Sequence, residues 1–158
     1  MTVVWEEYET GLPSVTDGDL DFVEARRRVS LPKGYRETVK QHVGDAPLPE
    51  TVTVGRGRTP VCGLFFARYD FPGEQNDLNL WYWIDAIHDN YDADTAKKMI
   101  PFTSNGAQGI FAFDYRRGSE PAVVFLDLEG FADEGDASIY PVADSWDGFL
   151  HALKDCAD

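Results

Sequence analysis

Four stretches of the chain carry apolar residues at the three-to-four spacing of a buried helical face. In the first, Thr16-x-x-Asp19 is a capping-box pattern, in which each side chain takes up a backbone N–H of the other. Leu20 and Val23, with the row Phe22, Ala25 and Val29, then predict a helix near residues 17–29. Ser30-Leu31-Pro32 ends it, and Pro32 suits the first turn of a second helix, where a missing N–H leaves nothing unpaired. That helix carries Tyr35, Val39 and Val43 through KGYRETVKQHV, and Gly44 stands where a C-cap belongs. In LNLWYWIDAIHDNY, residues 78–91, Leu80, Trp83, Ile84 and Ile87 favour a helix over a strand. The chain closes on DSWDGFLHALKDCAD, a helix capped by Asp144 or Ser145, with Trp146, Phe149, Leu150 and Leu153 as its buried stripe.

Period-two patterning marks the strands. GIFAFDY alternates Phe111, Phe113 and Tyr115 with Ile110 and Ala112, and AVVFLDL follows after the turn RRGSEP, which predicts a hairpin. VCGLFFARYD, residues 61–70, is β-prone, and IYPV reads as a brief strand. Residues 45–60 are rich in Pro and Gly and read as loop, with TVTV as a short strand at most; DADTAKK reads as a polar or helical turn and EGFADEGDAS as loop. MIPFTSNGAQG reads as a polar loop leading into the GIFAFDY strand. Helices first, antiparallel strands next and a closing helix imply an α+β fold, a mostly antiparallel sheet flanked by helices. With 158 residues, no repeat and no linker, the chain is expected to be a single domain, residues 1–158, with 1–15 as an N-terminal extension.

Charge changes the picture most. The formal net charge is −14, from 28 acids against 14 bases. A nucleic-acid binder needs a basic footprint, and an anionic membrane repels such a chain, so neither direct nucleic acid nor membrane is an expected partner. Solubility explains this charge as well as a binding role does. The distribution adds weight to binding: Glu6, Glu7, Glu9, Asp17, Asp19, Asp21 and Glu24 precede the first base, and only Lys154 opposes the acids from Ser119 to Asp158. An acidic face of this kind steers a basic partner inward. The N-terminus MTVVWEEYETGLPS has no basic n-region, which makes the cytoplasm the expected compartment. Cys62 and Cys156 lack a CxxC partner and read as reduced thiols.

Candidate chemistry is thin. SNGAQGIF has two glycines but neither GxGxxG nor GxxxxGK[ST], and it precedes a strand rather than a helix, so Asn105-Gly106 reads as a turn and not a phosphate cradle. Asp114 near a hairpin end, with Arg116 and Arg117, is expected to meet solvent. His42, His88 and His151 are scattered and form neither HxxxH nor HExxH, and DNYDADTAKK lacks the glycine and closing Glu of a calcium loop. There is no GxSxG, and Cys62 has no neighbouring base. No catalytic, cofactor or metal residue is assigned, and the chain is expected not to be an enzyme.

LPKGYRETV resembles the Leu-Pro-x-x-Tyr signature that opens the second helix of the SUKH superfamily, the group that includes the Smi/Knr-type cell-wall regulators of fungi. MIPFTSNGAQGIFAFDY is similar to that family's IPFA…GG…G approach to its central strand, AVVFLDLEG to the next strand, and DGDLDFVEARRRVS to its first helix. YPVADSWDGFLHAL resembles its closing VA.SF..FL..L pattern, with Trp146 where Phe is usual. The landmarks run in family order from about residue 16 to 154; Val43-Gly44-Asp45 departs from the family's Asn-Gly-Gly. The resemblance implies an α+β SUKH-like domain without enzymatic activity or cofactor. For bacterial members it implies an immunity protein that neutralises a polymorphic, often nuclease, toxin by stoichiometric binding, so the expected partner is a protein, a basic toxin domain. The alternatives are a Smi/Knr-type regulatory scaffold and, more distantly, a metal-dependent hydrolase using Asp89, Asp92, Asp94 and a histidine. The acidic stretches make Asp85, Asp89, Asp92 and Asp94, with Glu129, Asp133, Glu134 and Asp136, the expected contact surface, and Trp81 and Tyr91 its aromatic anchors.

Overall fold

The computed structural model describes residues 3–71, 76–128 and 138–155. Strand β1 (Val4–Glu7) precedes helices α1 (Asp17–Arg27) and α2 (Lys33–His42). Three short strands follow, β2 (Asp45–Leu48), β3 (Thr51–Val54) and β4 (Gly57–Pro60). A 3-10 turn at Asn76–Leu78 leads into α3 (Leu80–Asn90) and α4 (Ala93–Ala96). The main sheet is β5 (Met99–Ser104), β6 (Gly109–Asp114), β7 (Ala122–Asp127) and β8 (Ile139–Ala143), and α5 (Trp146–Ala152) closes the described chain. All three β-pairs of the main sheet are antiparallel in the order β5-β6-β7-β8. Two outlying two-stranded sheets, β1-β2 and β3-β4, are antiparallel as well. The architecture is α+β, as the order of elements implies.

The caps lie where the side-chain chemistry puts them. Thr16 Oγ1 accepts from the Asp19 N–H at 3.1 Å while Asp19 Oδ2 accepts from the Thr16 N–H at 3.0 Å, which completes the capping box. The first helix stops at Arg28, whose φ of 58° is left-handed, two residues short of the expected end. Pro32 precedes α2 as its N-cap, Asn79 caps α3 and Ser145 caps α5.

Three expectations are corrected. MIPFTS is a strand, β5, and not a loop. All six of its residues are buried, so its two faces show no polar alternation, and Pro101 sits at a register shift where the ladder tolerates a missing N–H. Residues 45–60 hold three strands rather than one at most. Pro47 and Pro60 lie in two-stranded edge pairings, the setting in which proline fits a sheet. Residues 61–70 form no strand, only isolated bridges at Leu64 and Phe66, and they end in a turn at Tyr69 and Asp70. Their amides reach several neighbours in turn, Cys62 N–H to Ser104 O at 2.9 Å, Leu64 N–H to Asp45 O at 3.1 Å and Phe65 N–H to Phe102 O at 3.0 Å.

Aromatic rings fill the space between α2, the sheet and α5. Tyr35 lies 5.0 Å from Phe113, 5.5 Å from Trp146 and 6.0 Å from Phe102, centroid to centroid. Phe102 stacks on Phe113 at 4.5 Å and meets Phe149 edge-on at 5.3 Å. Gly34 is what lets α2 approach: a Cβ there would stand 2.9 Å from Trp146 Cδ1. LPKGY is therefore a packing unit, with Leu31 and Tyr35 buried, Pro32 at the cap and Gly34 beneath the indole.

Trp146 and Phe149 are buried on α5, and so is Leu153, the residue that follows the helix. Trp146→Ala is expected to cost about 3–5 kcal/mol, read as a lower Tm by circular dichroism. Tyr35→Phe is expected to hold or raise Tm, because the Tyr35 hydroxyl is buried with no hydrogen-bond partner among the described residues.

Candidate partner-binding surface

The polar loop between β5 and β6 engages its donors within itself and, through Asn105 Nδ2, on Thr59 Oγ1 at 3.1 Å. Asn105 Oδ1 accepts from the Ala107 N–H at 3.0 Å and the Gly109 N–H at 3.1 Å, and the Gly106 N–H reaches Ser104 Oγ at 3.2 Å. Gly106 supplies a φ of +84°. An anion cradle needs convergent free N–H groups, and here they are already engaged, so the turn reading holds. At the far end of β6 the expectation of solvent fails for Asp114. Its side chain is only 9% exposed, with Arg116 Nε 3.0 and 3.1 Å from its two oxygens and Arg116 Nη2 at 2.9 Å. The bidentate pair shields a carboxylate that alternation had placed outside.

Each histidine has its own partner. His42 Nδ1 meets Asp45 Oδ2 at 3.0 Å, and the Asp147 carbonyl accepts from His151 Nδ1 at 2.8 Å. Arg27 Nη2 donates to His88 Nε2 at 3.1 Å, since a guanidinium has no acceptor. Burial, then the Arg27 charge, lowers the His88 pKa. The Cys62 thiol is pushed up by burial, and Tyr8, hydrogen-bonded to it, is pushed up to about 12. Among the described residues no group of three or more His, Cys, Asp or Glu could hold a metal ion.

Three of the seven acids ahead of the first base are compensated in the fold. From α2, Arg36 reaches Glu24 Oε1 at 2.7 Å, Asp21 Oδ1 at 2.9 Å and Asp17 Oδ1 at 3.2 Å, and Lys40 reaches Asp17 at 2.9 Å. On α3 and α4 the acids are more open. Asp85 and Asp89 are exposed on α3; Asp92 caps α4, accepting from the Thr95 N–H at 2.8 Å; Asp94 pairs with Lys97 at 3.1 Å in full solvent. Such a solvated pair adds little stability. The two aromatic positions sit largely inside: Trp81 is 9% exposed with its Nε1–H on the Ala67 carbonyl, and Tyr91 is 8% exposed with its hydroxyl 2.6 Å from Ser138 Oγ. Glu129, Asp133, Glu134 and Asp136 lie outside the described residues.

Beside Asp85 is a feature that sequence reading missed. Phe22 of α1, Tyr69 of the turn that ends residues 61–70 and Trp81 of α3 meet with centroids 5.1–5.7 Å apart. Arg26 lies over the rings of Phe22 and Tyr69 at 5.9 and 5.0 Å. A cleft of about 250 Å³ opens between Tyr69, Trp81 and Tyr82, with Asp70 and Asp85 in its lining. The cleft itself is lined from the stretch between Tyr69 and Asp85, but Phe22 and Arg26 reach it from α1, more than 40 residues earlier, so no local motif announces the cluster; the one signal is Phe22, an aromatic on the rim of the α1 apolar face.

A four-stranded antiparallel sheet with helices α2 and α5 packed on it through aromatic rings defines an α+β domain. The model of the SMI1 / KNR4 family (SUKH-1) matches residues 14–152, and the chain belongs to that family. Membership is consistent with an immunity or interaction protein that has a protein partner, and SUKH domains are generally non-enzymatic binding domains. No curated protein matches the chain. No helix among the described residues is long and apolar enough to cross a membrane.

Two surface carboxyls link folding to pH. Hydrogen bonds from Lys40 and Arg36 hold Asp17 below its ordinary pKa, and the Thr95 N–H does the same for Asp92. A carboxyl depressed on folding stabilises above its unfolded pKa, and that stability is lost as pH falls through the folded value. Tm is therefore expected to drop as pH falls below the ordinary carboxylate range. Asp92→Asn keeps a capping oxygen but not the titration, so it should flatten part of that acid limb in a Tm–pH series.

Proposed function

We propose that this chain is an immunity protein that neutralises a basic toxin domain by stoichiometric occlusion. The observation that carries the reading is a net charge of −14 on a domain of the SMI1 / KNR4 family. Exposed Asp85, Asp89, Asp92 and Asp94 on α3 and α4 supply one open concentration of that charge. A nuclease must carry a cationic groove to hold phosphates, and an acidic domain occupies or adjoins such a groove in their place. Charge sets the encounter rate and orientation, while buried apolar contacts set the lifetime of the complex. The histidines, Cys62 and the β5–β6 loop, each engaged within the fold, support binding over turnover.

A toxin encoded beside this chain is expected, co-expression of the two is expected to rescue growth, and the purified pair should form a one-to-one complex. Its association rate is expected to fall by an order of magnitude or more between low and physiological salt, as stopped-flow fluorescence would read. A rate indifferent to salt removes the electrostatic mechanism. A partner that is an ordinary cellular protein, with no toxicity to neutralise, makes the domain a regulatory scaffold.

A further inference from the structure

We propose that the cleft between Tyr69, Trp81 and Tyr82 is a receptor for one arginine side chain of the basic protein partner. The inference rests on reading the chain as a binder of a basic protein and names the contact that this reading lacks. Three of the large hydrophobic side chains that remain exposed fall on this one patch: Phe22 at 39%, Tyr69 at 40% and Tyr82 at 47%. Clustered exposed aromatics with a polar rim are the composition of binding anchors, since Trp, Tyr and Arg dominate interface energetics.

Size selects the occupant first. The cleft measures about 250 Å³. Sites for whole small molecules run to roughly 300–1,000 Å³, so this one suits a single projecting side chain. Charge selects next. Asp70 and Asp85 line the cleft, and neither is in an ion pair among the described residues. An anion would meet two carboxylates and a chain of net charge −14. An apolar side chain would strip water from both carboxylates and return nothing to them. A cation is paired by the carboxylates and attracted by the ring faces at once.

Shape favours arginine over lysine. A planar guanidinium stacks on an aromatic face while its edge donates to carboxylates, whereas an ammonium is a compact, strongly hydrated point charge. The cluster already holds one guanidinium in this manner: Arg26 lies over Phe22 and Tyr69, and its Nη2 donates to the Tyr69 hydroxyl at 3.2 Å. The walls are also set in advance. The Trp81 indole is pinned by Nε1–H on the Ala67 carbonyl at 3.1 Å, and Asn79, the α3 cap, donates to the Arg68 carbonyl at 3.0 Å, tying the segment that carries Tyr69 to the helix. A pre-ordered cleft spares the ordering entropy of binding.

The test titrates Nα-acetyl-arginine N-methylamide into the full chain, with the neutral citrulline analogue as control. NMR reads the Trp81 indole N–H and the Tyr69 and Tyr82 ring signals. Saturable millimolar shifts confined to these rings are expected, with the citrulline analogue at least fivefold weaker. The double variant Asp70→Asn/Asp85→Asn changes exposed side chains only and should lose at least fivefold in affinity with an unchanged circular dichroism spectrum. Equal response to arginine and citrulline, shifts located elsewhere, or undiminished binding by the double variant would overturn the cleft. That failure would leave a salt-steered toxin complex standing, and a salt-independent complex would leave the titration standing, so the two readings fail separately.

Discussion

Tyr35 is the ring on which the other elements are hung. It stands edge-on to Phe113 and Trp146 and reaches Phe102, so a residue of α2 touches β5, β6 and α5 together. Each aromatic pair of this geometry adds about 0.5–1.5 kcal/mol to the area it buries. The larger consequence is geometric. Close-packed rings have few alternative arrangements, so α2 and α5 are fixed relative to the sheet rather than merely attracted to it. Gly34 is part of the same constraint, because any Cβ there would push the indole away. The buried Tyr35 hydroxyl, without a partner among the described residues, is the one polar atom this packing leaves unserved.

What could be read from the chain was what obeys a local period. α1, α2, α3 and α5 announce themselves by apolar rows and caps, and the β6–β7 hairpin by alternation around a Gly-containing turn. β5 hides because both its faces are buried and a proline interrupts it. β2 and β4 hide because Pro47 and Pro60 mimic loop. Long-range pairing is invisible in the same way. The acids of α1 look unopposed until α2 folds back and Arg36 meets three of them, and Asp114 looks solvated until Arg116, two residues on, closes over it. Trp81 falls outside the Leu80, Trp83, Ile84 and Ile87 row, which makes it look like a surface anchor. Tyr69 and Phe22, brought in from elsewhere, cover most of it.

These two layers of interaction are nearly independent. The core that holds the fold is apolar and aromatic, and the ion pairs of the described residues lie at its margin or outside it, with Asp114–Arg116, Arg36–Glu24 and His42–Asp45 part-buried. Exposed charges separated by more than a Debye length of about 8 Å are largely screened at physiological salt, so their mutual repulsion is a mild tax on folding. The same charges still shape the field that an approaching macromolecule meets before contact. Substituting exposed Asp85 or Asp89 therefore alters that field without disturbing Tyr35, Phe102 or Trp146. The ring packing that fixes α2 and α5 on the sheet includes none of the exposed carboxylates of α3 and α4, so the interior of this SMI1 / KNR4 family chain places no demand on which side chains stand there.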